Sequence, residues 1–324
     1  MCQSPRTVHP DGREVGGATP NDAALHEIVD GVFAWIQPDG TWWVNNAGAI
    51  HGDEGVIVVD TCATEQRTRR FLAAVAEATG DAPIPLAINT HQHGDHTYGN
   101  SLLPATTTIV GHELMRAGLA DDPLIDGCPP LWFPVPDWGR VERRLPSASF
   151  SDALTLHSGT RRVEVRHPGF TAHTTGDAVA WLPEERVLFT GDLIFHGLTP
   201  LVFMGSVDGA RRALEWLAAF GPAHLVPGHG PLVTGGEVDG VLDDHDRYFR
   251  FVDDVARAGL AAGSSPLEAC RRADLGEFAA WADSERLVLN VHRAYADADD
   301  RDLDLFQAFA DAIDWHGGPL PTSV

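Results

Sequence analysis

The chain contains no lysine: all 23 of its formally cationic side chains are arginine, set against 46 aspartates and glutamates. The formal net charge of −23 repels phosphate backbones and acidic membrane surfaces, which argues against a nucleic-acid or membrane partner. The missing lysine, with abundant Ala, Gly and Asp, reads more simply as the mark of a GC-rich genome than of function. Cysteine is scarce as well. Cys2, Cys62, Cys128 and Cys270 form no CxxC pair and no dense framework, so a disulfide scaffold is excluded and reduced thiols are expected. Long apolar runs are also missing. The opening Met1-Cys2-Gln3-Ser4-Pro5-Arg6 lacks the apolar core of a secretory signal, and no later stretch is long enough to span a bilayer, so a cytoplasmic location is expected. A hydrophobic content of 44% over 324 residues suffices for one large domain or two moderate ones.

What the chain does have is histidine in a telling arrangement. His91-Gln92-His93-Gly94-Asp95-His96 packs three imidazoles and a carboxylate into six residues, just after the apolar run Ile84-Pro85-Leu86-Ala87-Ile88. Imidazole and carboxylate are ligands for zinc and similar first-row divalent ions. A surface loop of polar residues is the competing reading for one such motif, but three more segments weaken it. His173 lies in Thr171-Ala172-His173-Thr174-Thr175-Gly176-Asp177, Asp192 in Phe189-Thr190-Gly191-Asp192, and His229 in Val226-Pro227-Gly228-His229-Gly230. Each lies near a glycine, and the last two follow apolar runs, which places them on loops at strand ends.

The HxHxDH run, followed by His, Asp and His in that order, resembles the metallo-β-lactamase superfamily over about Val32 to His229. The resemblance implies an α/β fold, an αββα sandwich, and two divalent ions. His91, His93 and His173 would hold the first ion and Asp95, His96 and His229 the second, with Asp192 bridging. Zinc is the first expectation, with iron or manganese as alternatives. Such a site acidifies a shared water and polarises a carbonyl, with Asp95 as the catalytic residue that orients the nucleophile and passes on a proton. Asp60, at the end of Val56-Ile57-Val58-Val59, matches the superfamily's strand-end aspartate, which supports the ligand shell; a turn or helix-cap aspartate before Glu65 is its other reading. An aspartate at position 192 resembles the glyoxalase-II and lactonase branches, whereas many true zinc β-lactamases carry cysteine there.

Along the chain, residues 1–24 read as a loose N-terminal arm, 25–235 as the metallo-β-lactamase domain and 236–324 as a C-terminal helical extension. Structure is expected from His26, with strands at Ile28 to Ile36, Trp42 to Ile50 and Val56 to Val59, then a helix at Glu65 to Ala78 and a strand at Leu86 to Ile88. Strands follow near Leu154 to Leu156, Arg162 to Val165, Ala178 to Leu182, Arg186 to Phe189 and His224 to Val226, with a helix from Gly209 to Phe220. Helices are expected at Glu237 to Ala261, Pro266 to Arg272, Ser284 to Ala296 and Leu303 to Ile313.

The proline-rich, apolar stretch Pro123 to Trp138 reads as a lid without regular structure. With Trp42, Trp43, Trp132, Phe133, Trp138, His196 and Phe203 it suggests an aromatic pocket for a small hydrophobic acyl substrate. Packing against the C-terminal helices or a second subunit, giving a homodimer, is the competing reading. The segments Gln37 to Asn46, Asp60-Thr61 and Phe189 to Gly197 resemble the metallo-β-lactamase-type cyclase/thioesterases of aromatic polyketide pathways. That narrower resemblance implies a poly-β-ketone thioester on an acyl carrier protein, closed by aldol condensation and then cleaved. A simple lactone, ester or β-lactam hydrolase is the alternative. A di-iron oxidoreductase is another, although the C-terminal region shows no flavodoxin-like pattern.

Overall fold

The protein is described from a computed structural model over residues 23–324. The expected arm therefore lies, up to residue 22, outside the described residues. Fifteen strands and eight α-helices follow among the described residues. The first half contains β1 (Ala24–Val29), β2 (Val32–Ile36), β3 (Ala47–Gly52), β4 (Gly55–Val59), α1 (Glu65–Thr79), β5 (Leu86–Ile88), α2 (Gly94–Thr97), β6 (Thr108–His112), α3 (Glu113–Asp121), β7 (Trp132–Phe133) and β8 (Ala148–Phe150). Then come β9 (Ala153–Ser158), β10 (Arg161–Arg166), β11 (Val179–Leu182), β12 (Val187–Phe195), α4 (Val207–Ala218), β13 (His224–His229) and β14 (Val233–Thr234). The chain closes with α5 (Glu237–Ala261), α6 (Pro266–Arg272), α7 (Arg286–Ala298), α8 (Leu305–His316) and β15 (Leu320–Pro321).

Two sheets stack face to face. One runs β1-β2-β3-β4-β5-β6-β8 and the other β14-β13-β12-β11-β10-β9. Period-two alternation assigns each side chain to a layer. Val32, Ala34 and Ile36 of β2 point inward, where they meet Val163, Val165, Leu182 and Phe189 of the opposite sheet. Phe33 and Trp35 point outward and pack on Phe71 and Val75 of α1. On the far side, Trp181, Leu188 and Leu225 are covered by Leu214 and Leu217 of α4 and Val241 of α5. The result is the expected αββα sandwich, with α5 to α8 extending the outer layer of the second sheet.

Several boundaries differ from expectation. Ile28 to Ile36 is not one strand but the hairpin β1–β2, turning at Asp30-Gly31 with Gly31 at φ 70°. Trp42 to Asn46 lies outside any strand, and Trp43 takes φ 68°. Within Pro123 to Trp138, Trp132 and Phe133 form β7, which pairs in parallel with β15 near the C-terminus. No helix among the described residues is long and apolar enough to cross a membrane.

A buried histidine fastens the extension to the second sheet. His245 on α5 accepts a hydrogen bond at Nε2 from the Phe195 backbone N–H (3.0 Å), while its Nδ1–H donates to Val241 O (2.8 Å). Burial holds its pKa down at about 4, against 6.5 for a free imidazole. The unfolded chain thus binds a proton that the folded chain refuses between those values. The contribution, on the order of 3 kcal/mol, is full above pH 6.5 and lost as pH falls toward 4. Denaturant unfolding of the wild type should therefore weaken more steeply across that window than that of His245→Gln. Parallel pH curves for the two proteins would remove this role.

Candidate metal centre

Three strand ends, one helical turn and a bulge inside β12 bring the candidate ligands and Asp60 to one place. Asp60 follows β4, and His91 follows β5 by three residues. Asp95 and His96 ride on the single turn α2, while His229 ends β13. Asp192 sits inside β12 where the register with β13 shifts twice, between Phe189 and Gly191 and again between Gly191 and Phe195. Such a bulge re-aims a side chain out of the sheet. Gly228 makes room for it: a Cβ there would lie 1.9 Å from Asp192 Oδ1.

The donor atoms form two groups, each within 4.8 Å: His91, His93, His173 and Asp192 in one, Asp95, His96 and His229 in the other. His173 Nε2 lies 2.9 Å from His93 Nδ1 and 3.4 Å from Asp192 Oδ2, with His91 Nε2 3.8 Å from the same oxygen. In the second group, His229 Nε2 is 3.1 Å from Asp95 Oδ2 and 3.4 Å from Asp192 Oδ2. His96 Nε2 is 3.0 Å from Asp192 Oδ1 and 3.8 Å from Asp95 Oδ2. Asp192 thus faces both groups.

The outward nitrogens of four rings are anchored. His96 Nδ1–H donates to Asp60 Oδ2 (2.8 Å), and His91 Nδ1–H to Thr90 Oγ1 (3.1 Å), whose hydroxyl donates in turn to Asp60 Oδ2 (2.7 Å). His173 Nδ1–H donates to Leu201 O (2.7 Å), and His229 Nδ1–H to Gly40 O (2.8 Å). These bonds assign a proton to each outward Nδ1 and turn each Nε2 inward, the usual support of a metal-ligating histidine. Asp60 serves a ring in each group and also accepts from Thr90 N (2.8 Å), so the strand-end aspartate is a hub and not a helix cap. The cap of α1 is Thr64.

Buried His91 Nε2, His96 Nε2 and Asp192 Oδ1 have no hydrogen-bonded partner, although the last two lie 3.0 Å apart. Buried polar atoms without a partner are costly. Here they converge toward common points, as donors to cations do, and the residues fit divalent metal ions.

Electrostatics agrees. Burial holds the imidazoles of His91 and His93 below their ordinary pKa and that of His173 at about 3. Burial also opposes charge on His96 and His229, but the facing carboxylates outweigh it. Asp192, Asp60 and Asp95 raise His96 well above the ordinary value, while Asp192 and Asp95 raise His229 to about 9. Asp95, despite its burial, is held at about 2 by His96 and His229.

The aromatic residues are placed differently from one another. Trp43 packs on Trp132 (5.1 Å between ring centroids), Trp138 (4.7 Å) and Tyr98, and Trp42 packs on Trp132 and on Phe309 of α8. The four tryptophans are buried, whereas Phe133 is 72% exposed. Phe203 alone of the set stacks on a ligand ring, that of His93 (5.8 Å, 13°), and Met204 Sδ lies 3.2 Å from His93 Nε2. Met204 is 40% exposed, so the centre approaches solvent on that side. His196 turns its Nδ1 to Pro231 O. The carbonyls of Gly40 and Leu201 were missed in the sequence, since a backbone acceptor carries no residue signature.

An αββα sandwich with two His/Asp donor groups at its strand ends defines a class of metal-dependent hydrolase folds. The chain belongs to the metallo-beta-lactamase superfamily, whose family model matches residues 40–229. It is 28% identical over 72% of its length to the 2,4-dinitroanisole O-demethylase subunit alpha of Nocardioides sp. strain JS1661, and the match spans 63% of that protein. It is 35% identical to the hydroxyacylglutathione hydrolase of Methylococcus capsulatus, over 41% of this chain and 42% of that one. Among solved structures, a metallo-beta-lactamase from Pontibacter korlensis superposes with a TM-score of 0.57 at 18% identity, covering 70% of this chain and 99% of that one, which is a likeness of fold.

Proposed function

We propose that the protein is a dinuclear zinc hydrolase that cleaves an uncharged, hydrophobic acyl thioester. The observation that carries this reading is the pair of donor groups joined by Asp192, with their outward nitrogens anchored. His91, His93 and His173 would hold one ion, Asp95, His96 and His229 the other, and Asp192 both. Zinc, when bound there, supplies Lewis acidity and brings a water's pKa from about 15.7 toward neutrality. Asp60 keeps the rings of His91 and His96 in register, and the Asp95 carboxylate, whose Oδ2 faces His96 and His229, would orient the attacking water and pass a proton toward the leaving sulfur.

Charge selects the substrate class. The chain has no lysine, and two buried arginines nearby are engaged: Arg67 with Gln37 and Asn45 O, Arg286 with Asp283 and Thr199 O. A substrate carboxylate gains little from such surroundings, whereas Phe203 and Met204 offer apolar contact beside His93. Similarity to an acylglutathione hydrolase supports the thioester. The segments that resemble polyketide cyclase/thioesterases extend the proposal to a poly-β-ketone on an acyl carrier protein, with ring closure before release. A second reading is favoured by the demethylase subunit that matches 72% of this chain: hydrolysis of an activated methyl aryl ether, again an uncharged aromatic.

The test offers zinc-loaded protein an aromatic β-ketoacyl thioester on pantetheine, the same acyl group on a carrier protein, a nitro-substituted anisole and a β-lactam, with products read by mass spectrometry. Thiol release at least about tenfold faster than β-lactam opening is expected. Methanol release without thiol release would replace the first reading by the second. An unringed acid from the carrier-bound substrate would remove the cyclase step.

A further inference from the structure

We infer that the C-terminal segment positions both donor groups from outside, through polar groups on α7 and just before it: Asn290 for the His173 side, Asp283 and Glu285 for the His229 side. This rests on the metal reading above. Two peptide groups carry the connection. The first is the peptide between Leu201 and Val202, whose carbonyl accepts from His173 Nδ1. The N–H of that same peptide, Val202 N, donates to Asn290 Oδ1 (2.8 Å), and Asn290 Nδ2 donates to Pro200 O (2.8 Å) and Tyr248 Oη (3.0 Å). Asn290 therefore grips the residues on either side of Leu201, and its bond to the N–H polarises the carbonyl that orients the ring.

The second is the peptide between Gly40 and Thr41, whose carbonyl accepts from His229 Nδ1. Thr41 Oγ1 donates to Asp283 Oδ1 (2.9 Å), and Trp42 Nε1 donates to Glu285 Oε1 (2.6 Å). Gly40 itself has φ 50° and sits where a Cβ would come 2.4 Å from Gly230 N, so this loop is pressed against the residue after His229. Arg286 ties the two loops together. It pairs with Asp283 (2.8 Å), donates to Thr199 O (3.1 Å), and lies over Trp42 (4.8 Å) and Phe195 (5.4 Å). The Phe195 ring stacks on His229 at 5.1 Å and 9°.

Glu285, Arg286 and Asn290 are 2%, 1% and 0% exposed. Burying such groups is costly, and an apolar helix face of the same volume would pack the two layers together as well or better. What the polar groups add is direction for two loops that each turn a carbonyl to a ligand ring.

The test is a metal titration of the full-length protein with zinc and with cobalt(II), against a competing chelator, alongside thermal unfolding by circular dichroism. Asn290→Leu should weaken one of two bound ions by about tenfold or more, the scale found for groups that orient a metal-ligating side chain, and shift the cobalt absorption bands. Glu285→Ala should do the same, the double variant should weaken both ions, and Glu285→Gln, which can still accept from Trp42, should restore wild-type binding. If Asn290→Leu does not fold, Asn290→Asp keeps the acceptor for Val202 N and loses the donor to Pro200 O, and should still show a several-fold loss. Variants that unfold at lower temperature yet bind both ions as the wild type does would overturn the inference alone. A wild-type protein that takes up no ion would overturn the metal reading, and the inference with it.

Discussion

Dialysis against a strong chelator will abolish hydrolysis, lower the unfolding temperature, and leave a protein that takes zinc back with release of protons. The argument is electrostatic. Without a cation, Asp95 and Asp192 face His96 and His229, and the carboxylates hold protons on those two rings, with His229 at about 9. At pH 7 both rings are thus charged, and both must give up a proton before Nε2 offers a lone pair. Ion uptake should release close to two protons in weak buffer, and apparent affinity should rise as pH climbs from 7 toward 9. The reloaded fold gains the binding energy that an unfolded chain cannot match. A chelated protein with undiminished turnover, or uptake without proton release, would contradict this account.

How much of the fold was readable depended on punctuation. The helix α1 was legible to within a residue because Thr64 caps its start and Gly80 its end. The helices α5 and α6 were placed to the residue because Gly263-Ser264-Ser265 breaks them, with a Ser265–Glu268 capping box opening the second. The hairpin β1–β2 was overrun because Ile28, Val29, Val32 and Phe33 look continuous; the Asp-Gly turn inside was the signal to heed. Trp42 to Asn46 has strand composition, yet its members serve loops: Asn46 Nδ2 donates to Pro227 O and Gly230 O on either side of His229. The strand β6 and helix α3 went unread because Gly111-His112 offered no break between them.

The centre was legible where side chains carry it. The seven residues that the superfamily resemblance implied as ligands stand in two donor groups. The supports were not legible. Gly40 O and Leu201 O are backbone, and Asn290, Arg286 and Glu285, within the expected helix Ser284 to Ala296, carry no signal in the sequence that they are buried. Composition cannot tell an outward polar stripe from an inward one. The tryptophans show the same limit, for an aromatic run suits a pocket wall and a packed cluster equally, and only the contacts to Phe309 and Tyr98 distinguish them.

Asp95→Asn should lower turnover by about 10²- to 10⁴-fold, the range for loss of a positioned proton carrier, while circular dichroism stays as in the wild type. Unlike Asp60, which is held by Thr90 and His96, Asp95 meets the ring nitrogens of His229 and His96 on a one-turn helix at the centre itself. Without a cation, the facing His96 and His229 rings hold its carboxylate low, so it is charged before any ion binds. An amide of the same shape preserves packing and removes the charge. Metal content decides what the loss means. If Asp95→Asn retains the wild-type number of ions and still loses turnover, the carboxylate moves a proton. If one ion is lost in step with activity, Asp95 acts as a ligand only, and added zinc should restore part of the rate. Turnover within about threefold of wild type at full metal content would remove Asp95 from the mechanism and shift proton transfer to another group.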